Sequence, residues 1–222
     1  MGNWFLRDIC QLDRAMMPLD KGLNLFYLLG QACAATAGAV VEFGCYRGFS
    51  ALILAMSCDR TLHIYDSFEG LPDQSDEDRV PYGAEMRSCD RLDNARIGKG
   101  WFATSRSEVE SRFLDASLPL PHIHEGWFEK LTSEDVPQQI AFAHIDGDFY
   151  TSTLAALEAI YPRMPAGGII LLDDYCDPQQ HGRQSQLPGV KRACDFFFAD
   201  KREKAELLAT APDSYQAYVR KA

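Results

Sequence analysis

Long apolar runs are missing from this sequence. No stretch approaches the ~18 apolar residues of a membrane span, and the N-terminus (MGNWFLRDICQLDR) meets charge too early for the apolar core of a signal peptide. Position 6 is Leu rather than the Ser or Thr of a myristoylation pattern starting at Gly2. A cytoplasmic protein is expected. Basic residues are also scarce: 22 Lys and Arg stand against 32 Asp and Glu, a formal charge of -10. Such a molecule repels phosphate backbones and anionic lipid, which argues against nucleic acid or a membrane as partner. The local stretch Lys201, Arg202, Lys204 reads as the solvated end of a helix. The seven cysteines form no CxxC pair and have no metal-type spacing with the five histidines. Their odd number and wide scatter argue against a disulfide framework, leaving reduced, mostly buried thiols. Internal repeats and low-complexity tracts are absent.

What is present fits one α/β domain. The 222 residues are 46% hydrophobic and 24% charged, enough to bury about 70% of the surface of the unfolded chain. The region 1–37 reads as a helical preamble ending at Gly38, with Leu23, Leu25, Phe26, Leu28 and Leu29 as its apolar positions. AVVEFG (39–44), TLHIYD (61–66), PHIHEG (121–126), QIAFAHID (139–146) and GGIILLDD (167–174) read as five short buried strands. Helical segments are expected over 48–57, 105–114, 151–162 and 188–200, the last opening on a Pro placed for a first turn. AELLATA and SYQAYVRK, separated by Pro212 and Asp213, read as a closing antiparallel hairpin. Strands alternating with helices predict a doubly wound, Rossmann-like, mostly parallel sheet. The Pro-, Gly- and Asp-rich segment 70–100 is too long for an ordinary connection and is expected to be a mobile lid.

In such sheets ligands bind beyond the carboxyl ends of the strands, so the residues ending each strand carry the information. Strand one ends in Glu42-Phe43-Gly44-Cys45-Tyr46-Arg47-Gly48, a glycine turn into a helix N-terminus. It is not the G-x-G-x-x-G of a dinucleotide site, because an acid holds the first position. That carboxylate favours a cation, such as the ammonium and sulfonium of S-adenosylmethionine, over a pyrophosphate. The plain alternative is a tight turn of structural purpose. Asp66 closes strand two ~20 residues later, where an acid accepts hydrogen bonds from ribose hydroxyls or caps the next helix.

Strand four ends His144-Ile145-Asp146-Gly147-Asp148 and strand five ends Asp173-Asp174. These neighbours should lie ~4.8 Å apart, crowding four carboxylates whose repulsion a hard divalent cation, Mg²⁺ before Mn²⁺ or Ca²⁺, would relieve. Helix capping accounts for one acid per strand end, not two. His144 shares a strand face with Asp146 and Asp148 and is either a proton acceptor or a hydrogen-bonded core residue. His122 and His124 are expected to be structural, and His181, in a polar loop, is placed to reach a substrate.

These segments, VEFGCYRGFSA (41–51), YDSFEGLP (65–72), HEGWFEKL (124–131), HIDGDFYTSTLAALEAIYPRMPAGGIILLDDY (144–175) and GVKRACDFF (189–197), in this order, resemble the macrocin O-methyltransferase, TylF-type, family. The resemblance implies a class I methyltransferase fold and transfer of a methyl group from S-adenosylmethionine to a sugar hydroxyl of a secondary metabolite. It implies donor contacts from Glu42, Gly44, Asp66, Ser67 and the Gly126-Trp127 pair, beside the Gly48 of the turn. It also implies metal ligands at Asp146, Asp173 and Asp174 and a general base at Asp148. Cys45-Tyr46 departs from the family's more usual Val-Trp, and the N-terminal region is short for the family. A closed homodimer is the expected assembly. Two other readings compete: a nicotinamide-dependent oxidoreductase, against which Glu42 stands in place of the first glycine, and a catalytically silent scaffold, against which the intact acid cluster stands.

Overall fold

Short runs of Val, Ile, Leu and Ala, stopped by Gly or Asp, form the strands of a seven-stranded sheet. A computed structural model describes residues 17–79, 97–181, 187–210 and 214–222. Strands β1 (Ala39–Phe43), β2 (Leu62–Asp66), β3 (His122–Glu125), β4 (Ile140–Ile145) and β5 (Ile169–Asp173) run parallel. β6 (Glu206–Leu207) and β7 (Gln216–Arg220) are paired to each other and β7 to β5, both antiparallel. The order across the sheet is β3-β2-β1-β4-β5-β7-β6, so chain direction reverses its progress between β1 and β4. That switch point opens the crevice where doubly wound sheets bind ligands.

Period-two alternation gives the sheet two apolar faces. Val40, Ile64, Phe142 and Leu171 pack against α1 (Leu19–Ala35), α2 (Phe49–Ser57) and α4 (Arg106–Asp115). Val41, Phe43, Ala143, Ile145, Ile170 and Leu172 pack against α5 (Tyr150–Ile160) and α7 (Pro188–Phe197). Two single-turn helices, α3 (Asp76–Arg79) and α6 (Pro178–His181), sit in connections on the crevice side. No helix among the described residues is long and apolar enough to cross a membrane.

The expected elements are present among the described residues, with corrections at their ends; the N-terminal helix runs Leu19–Ala35, and positions 1–16 of the expected preamble lie outside the described residues. The last helix stops at Phe197 rather than Asp200. Its basic tail is not simply solvated: Lys201 Nζ donates to the Phe197 carbonyl and Lys204 Nζ to the Phe198 carbonyl, each at 2.6 Å. Both cations satisfy carbonyl groups at the negative end of the helix. The C-terminal pair is antiparallel as expected, but β6 has only two residues, and the predicted turn at Pro212 and Asp213 lies outside the described residues. Cys45, Cys176 and Cys194 are buried thiols, whereas Cys33 and Cys58 are half-exposed.

Candidate active site

The end of β1 approaches β4 so closely that only glycine fits. A Cβ on Gly44, whose φ is +83°, would lie 2.0 Å from the Asp146 carbonyl oxygen. Gly48, with φ +80°, begins α2. Between them, the Cys45 and Tyr46 amides donate to Asp66 Oδ2 at 2.9 and 3.1 Å, while the Phe68 amide donates to Asp66 Oδ1 at 2.8 Å. The acid ending β2 therefore orders the glycine turn of β1, a job distinct from the ribose contact or helix cap expected of it. Ser67 Oγ donates to the Gly70 carbonyl, and the Gly126 amide donates to the Asp66 carbonyl.

Beneath this rim a polar line crosses four strands on the α1 face. Glu42 of β1 is in register with His144 of β4, and Asp173 of β5 with Gln216 of β7. His144 Nδ1 lies 2.9 Å from Glu42 Oε1, and its Nε2 lies 3.7 Å from Asp173 Oδ2. Gln216 Nε2 donates to Asp173 Oδ1 at 2.6 Å, and Asn24 of α1 donates to Gln216 Oε1 at 3.0 Å. The side chain against Glu42 is that of His144. Two residues of strand rise, about 6.6 Å, set Glu42 behind the turn rather than on its rim. Glu42 and His144 have no exposed surface.

The strand ends deliver the four acids to one place. Two triads of ligand atoms lie within 4.8 Å of one another, His144/Asp146/Asp173 and Asp146/Asp148/Asp174. Asp148 and Asp174 both adopt left-handed backbone, with φ +60° and +54°. Non-glycine residues avoid this region, and strain of this kind gathers at functional sites. Burial and the surrounding carboxylates push Asp146 and Asp148 well above the usual carboxylate range. Burial and Asp173 raise Asp174 too, against the opposing effect of Lys21. Burial would also raise Asp173, but Lys21, His144 and Gln216 outweigh it and hold its carboxyl down to about 2. Burial opposes charge on His144, yet Asp173 and Glu42 overcome it and raise the imidazole to about 10.

A cavity of about 240 Å³ opens above these groups. Its wall includes Gly44, Asp66, Ser67 and Trp127 together with Asp146, Asp148, Asp173 and Asp174. Glu42, Gly48, Gly126 and His144 stand behind that wall. His181 is elsewhere, its ring edge-on to Tyr215 and its Nδ1 within 3.0 Å of the Asp177 amide nitrogen. The first arm of the 70–100 segment borders the cavity through Gly70, Leu71 and Pro72, and Phe102 does so just beyond the second arm. The two arms are joined at the base, with the Leu71 amide donating to the Trp101 carbonyl at 2.8 Å and Lys99 Nζ 2.7 Å from Asp73 Oδ2. Asp78 Oδ1, next along the first arm, accepts from the Tyr150 amide at the start of α5. The tip, 80–96, lies outside the described residues.

Residues 30–201 match the macrocin-O-methyltransferase (TylF) family. The chain belongs to this family of methyltransferases. It is 29% identical over 178 residues to the 8-demethyl-8-(2,3-dimethoxy-alpha-L-rhamnosyl)-tetracenomycin-C 4'-O-methyltransferase of Streptomyces olivaceus, covering 76% of this chain and 65% of the relative. It is 32% identical over 149 residues to the mycinamicin III 3''-O-methyltransferase of Micromonospora griseorubida, covering 64% of this chain and 56% of the relative. The chain thus spans less than two thirds of the length of these TylF-family relatives. The structure of the O-methyltransferase NovP superposes with a TM-score of 0.70 at 25% identity, over 93% of this chain and 81% of that one. At 12% identity and a TM-score of 0.58, TomG from Streptomyces achromogenes, solved in complex with SAM, shares the class I methyltransferase fold over 100% of this chain and 92% of its own.

Sequence reasoning missed Lys21 and Gln216. Lys21 Nζ lies 3.1 Å from Asp174 Oδ1 and 3.4 Å from Asp173 Oδ2. Neither residue belongs to a motif. The signal for Lys21 is the one basic residue of its helix, just before Gly22, and for Gln216 a polar residue opening a closing strand.

Proposed function

We propose that this chain is an S-adenosylmethionine-dependent O-methyltransferase that methylates a sugar hydroxyl of a glycosylated small molecule, with a divalent cation such as Mg²⁺ at the acid cluster. One observation carries the reading: the glycine turn with Asp66 and the four aspartates line a single cavity. The sugar O-methyltransferases among its relatives support the acceptor class.

In this reading Gly44, Asp66, Ser67 and Trp127 line the donor half, with Gly48 and Gly126 shaping the turns behind it. Glu42 acts on the donor half only through the strand it anchors. Asp146, Asp173 and Asp174 form the metal cradle, an all-oxygen donor set suited to a hard cation. Such an ion, when bound, orients neighbouring acceptor oxygens and makes a hydroxyl more acidic. Asp148 accepts the proton as the acceptor oxygen bonds to the methyl carbon; the carbon–sulfur bond breaks and its electron pair stays on sulfur. His144, closed off from the cavity, holds Asp173 in place instead of taking the proton. The arms of the 70–100 segment serve as the base of a lid.

The test is mass spectrometry of mixtures containing methyl-labelled S-adenosylmethionine and a panel of glycosides, with and without chelator. Label on a sugar oxygen, lost with chelator, is the expected result. Transfer undiminished by chelator would remove the metal role, and binding of a nicotinamide dinucleotide instead of the methyl donor would overturn the assignment.

A further inference from the structure

The acid cluster already has a cation of the chain's own. Lys21 belongs to the first turn of α1, yet its ammonium reaches across to the end of β5, 3.1 Å from Asp174 and 3.4 Å from Asp173. The side chain is almost wholly buried. A lysine is seldom buried without carboxylate partners, and the two it has here are members of the metal cradle proposed above.

We propose that Lys21 and the divalent cation compete for Asp173 and Asp174, so that loading the site with metal releases Lys21 and frees the first turn of α1. This rests on the metal reading of the site. Two positive groups cannot share the same pair of carboxylate oxygens without strong mutual repulsion. The exchange is local because α1 is anchored further along: Leu25, Leu28, Leu29 and Ala32 are embedded in the core. The first turn is easily loosened, since Pro18 at its start offers no side-chain cap and Gly22 follows Lys21 directly. Met17 and Lys21 both line the cavity, so releasing this turn reshapes the wall beside the acids. Metal loading and the shape of the acceptor half are thereby coupled through one lysine.

Calorimetric titration of Mg²⁺ and Mn²⁺ into the wild-type chain, Lys21→Met and Lys21→Arg tests this directly. Removing the competing charge should tighten metal binding in Lys21→Met by about tenfold or more, while Lys21→Arg, which keeps the charge, stays near wild type. Without metal, Lys21→Met should melt at a lower temperature than wild type and recover on addition of Mn²⁺. Equal or weaker binding in Lys21→Met, with wild type binding normally, overturns the competition and leaves the metal reading intact. Absence of binding in all three chains overturns both. Tight binding in Lys21→Met alone supports the competition in its strongest form. Should Lys21→Met fail to fold, the wild-type lysine ammonium resonance gives the answer: a shift of the Lys21 signal at saturating Mg²⁺ supports release, and an unchanged signal refutes it.

Discussion

His144 Nδ1 lies 2.9 Å from Glu42 Oε1, side by side in the register of β1 and β4 and with neither residue exposed to solvent. Its other nitrogen faces Asp173 at 3.7 Å. The pair forms the inner end of a line of polar groups that runs from Glu42 through His144 to Asp173 beneath the acid cluster.

A stability profile follows from that line. The His144 imidazole is raised from 6.5 to about 10, so its protonated form stabilises the fold fully below pH 6.5 and that contribution is lost as pH rises through 10. The raised Asp146 and Asp148 act with the same sign, since their ionisation at higher pH costs stability when no cation compensates it. Scanning calorimetry in chelator should show the melting temperature of the wild-type chain falling from pH 6.5 to 10. His144→Gln should be less stable at pH 6.5 by about 3–5 kcal/mol, the cost of breaking a buried pair, and should lose most of that slope. A parallel pH profile in the variant would refute the role given to His144.

The close approach of the end of β1 to the end of β4 gives a second expectation. Ala at Gly44 must place a methyl group 2.0 Å from the Asp146 carbonyl oxygen in left-handed backbone. Gly44→Ala should destabilise the fold by more than ~2 kcal/mol, measured by urea denaturation. Gly98→Ala is the control, because a Cβ there meets no atom within 4 Å. Equal stability of the two variants would show that Gly44 is less tightly held against Asp146 than described.

The half-exposed thiol of Cys33, on α1, gives a third. A hydrogen bond from Cys58 is the main cause lowering it to about 7, burial opposes this, and Arg60 adds to the lowering. Alkylation of Cys33 by iodoacetamide, followed by mass spectrometry, should rise with a midpoint near pH 7 and move upward in Cys58→Ser. A midpoint at the ordinary value of 9.0 would contradict this environment.

Much of this architecture was legible in the sequence because the parallel strands are short apolar runs punctuated by Gly and Asp. Period two puts His144, Asp146 and Asp148 on one face of their strand. The paired acids ending β4 and β5 could be read as a cluster because adjacent parallel strands end together. What could not be read is contact between distant segments. Lys21 and Asp174 are 153 positions apart, and no local pattern says which residue of a helix overhangs a sheet edge. Glu42 reads as a donor contact because a carboxylate in a glycine turn favours a cation, and its burial against His144 is not written in that motif. Its partner, His144, is set by strand register, which a single strand does not encode. The basic tail of the last helix was read from charge alone, whereas the carbonyls it binds depend on where that helix stops.

The central claim is that Asp148 takes the acceptor's proton within this cluster, and Asp148→Asn tests it most directly. The substitution keeps size and hydrogen bonding while removing the base. With labelled S-adenosylmethionine and a glycoside acceptor, the account predicts donor binding within a few-fold of wild type and a fall in kcat of about 10²–10⁴. A variant that transfers methyl groups at the wild-type rate would contradict it.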